Sequence, residues 1–137
     1  MANMQMPQSS ELAWDLRTFY AYIVGPNLIS IAEARQEENY TKYWHALNDL
    51  YVVISHKIKP KKTDVEADGK TAVTFDTLSK KALAVFNLYP EAFNGKSTDP
   101  KQKQLIWQAL AEIEKYLYAK MDDAGLFGKG RIVEGLI

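Results

Sequence analysis

Large apolar residues recur at helical spacing in two long stretches, and this periodicity constrains the fold more than any other feature. An α-helix has about 3.6 residues per turn, so side chains three and four positions apart share one face. The first apolar face spans about 100° of a helical wheel and consists of Tyr40, Tyr43, Leu47, Leu50, Tyr51, Ile54 and Ile58. The second consists of Leu105, Ile106, Ala109, Leu110, Ile113, Tyr116, Leu117 and Met121. We predict an all-α fold, a bundle of four to five helices.

Helix-breaking glycine and proline residues predict the helix boundaries in the first half of the chain. A first helix ends or kinks at Gly25-Pro26, because proline lacks an N–H donor and clashes with the preceding turn. Helical character resumes at about Asn27 and continues to Lys59, as one helix or as two segments parted near residues 38–41. Pro60 stops it.

Turn and capping residues predict the boundaries in the second half. The periodicity disappears over residues 61–75, where Asp68-Gly69 predicts either a short β-hairpin or a loop. A third helix starts near Asp76-Thr77. The fourth has the clearest start, with Asp99-Pro100 as N-cap and first helical residue, and Gly125 ends it.

Length and composition narrow the class of protein. The 137 residues predict one helical domain, with residues 1–8 as a flexible lead and residues 125–137 as an irregular apolar C-terminal tail. The 17 basic and 17 acidic residues cancel, so no overall field attracts nucleic acid or membrane. The absence of cysteine excludes disulfides and thiolate chemistry. Without a secretory signal or a long apolar run, we expect a cytoplasmic protein.

Two histidines and an aspartate share a polar helix face. His45, Asp49 and His56 fall within about 40° of one another on a helical wheel. The two histidines are about 16 Å apart along the axis, too far to share one ion. We interpret this stripe as a solvated face, with a metal, proton or partner contact as the alternative.

Two further motifs resemble functional sites only in part. Asp64, Glu66 and Asp68 match the start of an EF-hand calcium loop, but the twelfth position is Phe75. We interpret them as an acidic surface turn. The run 95–97, Gly-Lys-Ser, lacks the upstream glycine of a phosphate-binding loop.

Acidic pairs, Glu112 with Glu114 and Asp122 with Asp123, occupy positions that we predict to be exposed. They are typical of helix solvation. We predict no catalytic residue, no cofactor and no metal, and we expect the protein not to be an enzyme.

Lysines cluster at the predicted end of the second long helix. They are Lys57, Lys59, Lys61 and Lys62. Such cations stabilise a helix C-terminus through the macrodipole, and they also suit contacts with nucleic-acid phosphates. Lys80 and Lys81 lie near them in sequence.

The tail is the most unusual stretch of the chain. Its glycines prevent a regular amphipathic helix, yet it carries Leu126, Phe127, Ile132, Val133, Leu136 and Ile137. These side chains need burial, either against their own bundle or in another chain. Aromatic residues beside the apolar stripes, Trp44, Trp107 and Tyr118, indicate additional packing by the tail or by another chain.

We therefore expect a small non-enzymatic assembly or interaction protein that contacts itself or a protein partner through the tail. We expect a homo-oligomer or larger assembly, with no membrane partner. A virus or other mobile element is a natural source for such a compact, motif-poor chain. The alternative is a nucleic-acid-binding accessory module that uses the four clustered lysines.

Overall fold

The computed structural model describes residues 20–59 and 64–125. A π-helical turn, Tyr20–Val24, leads into α1, Gly25–Gln36, and α2 spans Tyr40–Ile54. Helix α3 spans Phe75–Leu88, the short α4 spans Pro90–Phe93 and α5 spans Pro100–Asp123. The prediction of an all-α fold is confirmed.

Polar side chains cap the starts of the three longest helices among residues 20–59 and 64–125. The Asn39 side chain accepts from the backbone N–H of Lys42 at 3.1 Å and starts α2. Thr74 caps α3 through a reciprocal capping box with Thr77, so α3 begins slightly before the predicted Asp76. Asp99 accepts from two backbone N–H groups, and the predicted start of α5 is confirmed.

The predicted helical region from Asn27 to Lys59 is two helices. Glu38, with a φ of 52°, separates them in the left-handed region, and Asn39 N–H donates back to the carbonyl of Ala34 at 3.0 Å. Helix α2 ends at Ile54, before the predicted Lys59. Gly25-Pro26 does not end the described helical run, because the π-helical turn passes directly into α1 with Pro26 in its first turn.

Residues 64–73 form a tight reversal between α2 and α3. A single antiparallel bridge pairs Val65 with Ala72, and Gly69 adopts a φ of 72° at the tip. Residues 64–75 contain no strand, so the structure lies between the two predictions for this region.

Helix α5 lies at the centre of the packing, since it contacts α2, α3 and α4, while α1 packs on α2. The predicted stripes supply much of the core. The fully buried large side chains on α2 and α5 are Tyr43, Leu47, Leu50, Ile54, Ile106, Leu110, Ile113, Leu117 and Met121. Leu105 departs from its predicted burial and is 42% exposed.

Candidate functional site

A carboxylate is buried at the junction of α1, α2 and α5. Glu114 is only 6% exposed, and the Tyr43 hydroxyl donates a hydrogen bond to its Oε1. Its Oε2 lies 3.3 Å from Nη1 of Arg35, an ion pair without hydrogen-bond alignment. Burial, reinforced by the hydrogen bond and charge of Glu114, raises the pKa of Tyr43.

Our prediction that Glu114 is exposed is therefore wrong, whereas Glu112 is exposed as predicted. The signal was available in the spacing. Glu114 follows Leu110 by four positions and precedes Leu117 by three, which places it on the buried stripe. A buried carboxylate requires a countercharge, and Arg35 provides it from another helix.

The Arg35 side chain also lines an open cleft of about 510 Å³. We call it the Arg35 cleft. It lies between the C-terminal end of α1 and the N-terminal turns of α5, with the start of α2 as a third wall. Its lining residues are Arg35, Gln36, Glu38, Tyr40, Thr98, Pro100, Lys103, Gln104 and Trp107.

Charges of both signs face one another at the Arg35 cleft. The Lys103 ammonium lies 3.7 Å from a carboxylate oxygen of Glu38. The Arg35 side chain is 44% exposed even though it pairs with buried Glu114. Trp107 packs edge-on against the Tyr40 ring at 6.0 Å and against the Tyr43 ring at 5.5 Å.

The two tryptophans predicted beside the apolar stripes, Trp44 and Trp107, pack against aromatic rings of other described helices. Trp44 contacts Phe86 edge-on at 5.2 Å, and both Trp107 and Trp44 are half-buried against the core. These contacts come from other described helices, and additional packing by the tail or by another chain stays a prediction.

A second buried charge fixes the reversal of residues 64–73 to α5. Lys120 is 3% exposed, and its ammonium donates to Oδ2 of Asp64 and, at 3.2 Å, to the carbonyl of Lys59. The ammonium also lies 5.8 Å from the centre of the Tyr116 ring. Like Glu114, Lys120 falls on the apolar stripe of α5, three positions after Leu117.

The three carboxylates of the EF-hand-like run each have another partner. Asp64 pairs with Lys120, and Glu66 pairs with Lys81 at 2.9 Å. Asp68 accepts from the Thr71 hydroxyl and from two backbone N–H groups, which lower its pKa to about 2. Across residues 20–59 and 64–125, no group of three His, Asp or Glu side chains is arranged to hold a metal ion.

The other predicted polar motifs do not converge either. His45, Asp49 and His56 all lie at exposed positions. The backbone N–H groups of Lys96 and Ser97 donate to the carbonyl of Glu91, at 2.7 and 3.1 Å, so they do not form a phosphate cradle.

The lysine cluster is only partly described. Lys57 is half-buried and Lys59 exposed after the end of α2, while Lys61 and Lys62 lie outside the described residues. Lys80 pairs with Asp76 at 3.1 Å, and Lys81 pairs with Glu66. These pairs reduce the positive potential that a phosphate backbone would meet.

An apolar groove follows the seam between α3 and α5. Three adjoining hollows of about 180, 410 and 340 Å³ share lining residues and run from Pro100 to Ala119 along α5. We call this the α3–α5 groove. Lys81 and Glu112 line two of the adjoining hollows. The apolar surface of the groove comes from Val73, Leu78, Val85, Leu105, Ala109 and Tyr116.

The predicted tail contacts are not described. Gly125, with a φ of 72°, ends α5 as predicted. The residues that follow lie outside the described part of the chain, including Leu126, Phe127, Ile132, Val133, Leu136 and Ile137.

Among the helices of residues 20–59 and 64–125, none has both the length and the apolar character needed to cross a membrane. Comparison of the chain with family models, with curated proteins and with solved structures found no match.

Proposed function

We propose that this chain is a small helical-bundle assembly protein without catalytic activity. In this proposal, the tail of one copy occupies the α3–α5 groove of a second copy. The α3–α5 groove is the observation that carries the proposal, because it is a long apolar surface left open on the described part of the molecule.

The dimensions of the groove suit the tail. Pro100 and Ala119 are separated by roughly 28 Å along the axis of α5. An extended chain rises about 3.3 Å per residue, so residues 125–137 reach roughly 40 Å. The tail is therefore long enough to fill the groove of a neighbouring copy and to leave a short connection.

The chemistry of the groove also suits the tail. Leu105 is 42% exposed on its wall, and Val85, Ala109 and Tyr116 are half-buried. Burying six large apolar tail residues on this surface would remove apolar area from water on both partners. The glycines let the backbone follow a groove too irregular for a helix.

A reciprocal exchange reaches the size of a stable interface. Each copy would contribute its tail and its groove-lining residues, which together approach the roughly 20–30 residues per side of a standard protein interface. A two-fold exchange is also the commonest symmetry among homo-oligomers.

Light scattering on four chains tests the proposal. They are the full chain, a chain ending at Ala124, Leu105→Glu in the groove and Leu88→Glu outside it. Leu88 is the matched control, because it is an α3 leucine that is 69% exposed. We expect a discrete oligomer for the full chain and for Leu88→Glu, and monomers for the other two.

Three results would overturn the proposal. One is a monomeric full chain, and another is an oligomer that survives truncation. The third is loss of assembly in Leu88→Glu to the same extent as in Leu105→Glu. A monomeric full chain would lead to titration with duplex DNA at several salt concentrations, comparing the chain with one in which Lys57, Lys59, Lys61 and Lys62 are glutamate.

A further inference from the structure

The Arg35 cleft has the residues of a small-molecule site and is largely separate from the groove of the proposed self-association. Only Pro100 and Gln104 line both the cleft and the α3–α5 groove. Its volume of about 510 Å³ lies within the range of roughly 300–1,000 Å³ typical of ligand pockets.

Two cations reach the cleft from different helices. Arg35 comes from the last turn of α1 and Lys103 from the first turn of α5. The buried carboxylate of Glu114 lies 3.3 Å from one guanidinium nitrogen, so an ion pair places Arg35 at the cleft before any ligand arrives. A guanidinium placed here suits an incoming carboxylate, which it recognises through a planar fork of donors.

Aromatic side chains supply the apolar part of the site. Trp107 and Tyr40 line the cleft and hold each other edge-on with ring centres 6.0 Å apart. A planar ring would find an aromatic wall here, next to the cations.

Glu38 occupies an unfavourable backbone position at the mouth of the cleft. Its φ of 52° lies in the left-handed region, where glycine or asparagine normally ends a helix. A glutamate there carries conformational strain. Its carboxylate nevertheless lies 3.7 Å from the Lys103 ammonium, the position that a ligand carboxylate would need.

We infer that the Arg35 cleft binds a small aromatic carboxylate. The carboxylate lies between Arg35 and Lys103, and the ring packs against Trp107. The Glu38 carboxylate competes with the ligand for Lys103. Two cations face two protein carboxylates, Glu38 and Glu114, so displacing Glu38 leaves a place for one negative charge. A monoanion fits this balance better than a phosphate dianion.

The test follows the indole N–H resonances of the full chain by NMR while 1-naphthoate or benzoate is added. A Trp107→Phe spectrum assigns the relevant signal. We expect a saturable shift of the Trp107 signal with 1-naphthoate and a weaker one with benzoate. Neutral benzamide and inorganic phosphate are expected to leave it unchanged. A shift that never saturates, or one equally strong with benzamide, would overturn the inference.

Charge variants separate binding in the cleft from general attraction to lysines. Lys103→Gln is expected to weaken 1-naphthoate binding about fivefold. Lys101→Gln, which removes a lysine outside the cleft on the same helical turn, is the matched control and is expected to change it little. Glu38→Gln is expected to tighten binding, because the competing carboxylate is gone.

The opposite signs of the Lys103 and Glu38 effects distinguish a binding site from a structural ion pair. If both variants weaken binding, or if Lys101→Gln weakens it as much as Lys103→Gln, the assignment is wrong. Thermal unfolding of each variant checks that the fold is intact.

Discussion

The Tyr43 hydroxyl donates a hydrogen bond to Oε1 of Glu114 and thereby joins α2 to α5 across 71 residues of sequence. The carboxylate is 6% exposed, so water cannot replace this donor easily. Arg35 balances the charge on the other oxygen. One buried acidic side chain of α5 is therefore paired with side chains of both α1 and α2.

Removing the hydroxyl should destabilise the protein. Tyr43→Phe leaves a buried carboxylate oxygen without its donor, and we expect a loss of about 2 kcal/mol in the free energy of unfolding. Urea denaturation measures it. Tyr22→Phe is the control, because Tyr22 is 73% exposed. Equal stabilities for Tyr43→Phe and the unaltered chain would contradict the prediction.

The same tyrosine should make the fold sensitive to alkali. Burial is the largest cause that raises the pKa of Tyr43, Tyr40 and Tyr116. Their protonated forms are favoured in the folded state, so this stabilisation is complete below about pH 10. Above that pH the unfolded chain loses these protons first, and stability falls as the pH rises toward the folded-state pKa.

Urea midpoints measured from about pH 7 to about pH 11 test this expectation. Tyr43→Phe should show a shallower decline above about pH 10 than the unaltered chain, whereas Tyr22→Phe should show the same decline. If the urea midpoints of all three proteins decline in parallel with pH, ionisation of Tyr43 is not the cause of the decline.

The pair of Asp64 and Lys120 should show an asymmetric response to mutation. Asp64→Asn leaves the ammonium of a 3% exposed lysine without its carboxylate, and we expect a loss of about 3 kcal/mol. Lys120→Met retains the apolar stem and leaves only a partly exposed carboxylate, so its loss should be smaller. Denaturant unfolding measures both, with exposed Lys115→Met as the control. Equal losses for the two variants would argue against a buried charge at Lys120.

Replacing the strained residue between α1 and α2 should stabilise the fold. Glu38→Gly places the residue that tolerates a positive φ at 52°, and we expect a gain of about 1 kcal/mol. Glu37→Gly is the matched control. Its φ of −81° is right-handed, so glycine there should destabilise by roughly 0.5–1 kcal/mol. The thermal unfolding midpoints of the two variants should shift in opposite directions. A lower midpoint for both variants would contradict the left-handed backbone conformation of Glu38.

Local chemistry made several elements predictable. The start of α5 follows from Asp99 and Pro100, because an N-cap acceptor and an N-terminal proline act within one turn. The left-handed break at Glu38 had no glycine to reveal it. The sequence therefore left one helix and two helices as equal alternatives.

The polar sites were harder to predict for a physical reason. A charged residue on an apolar stripe is stable only if another element supplies its partner. Arg35 supplies the partner for Glu114 and Asp64 the partner for Lys120, each from a distant part of the chain. The Arg35 cleft likewise requires residues from three elements. Periodicity within α5 places Glu114 and Lys120 on the buried stripe, but it does not show which residues pair with them.

The central position of α5 has a consequence for the order of events during synthesis on the ribosome. Helices α1 and α2 pack on each other and can associate as soon as both have emerged. The sides of α2 and α3 that pack on α5 acquire that partner only when residues up to Met121 have been made. Translation proceeds at roughly 5–20 residues per second, so the nascent chain exposes these apolar surfaces for seconds before its last described helix covers them.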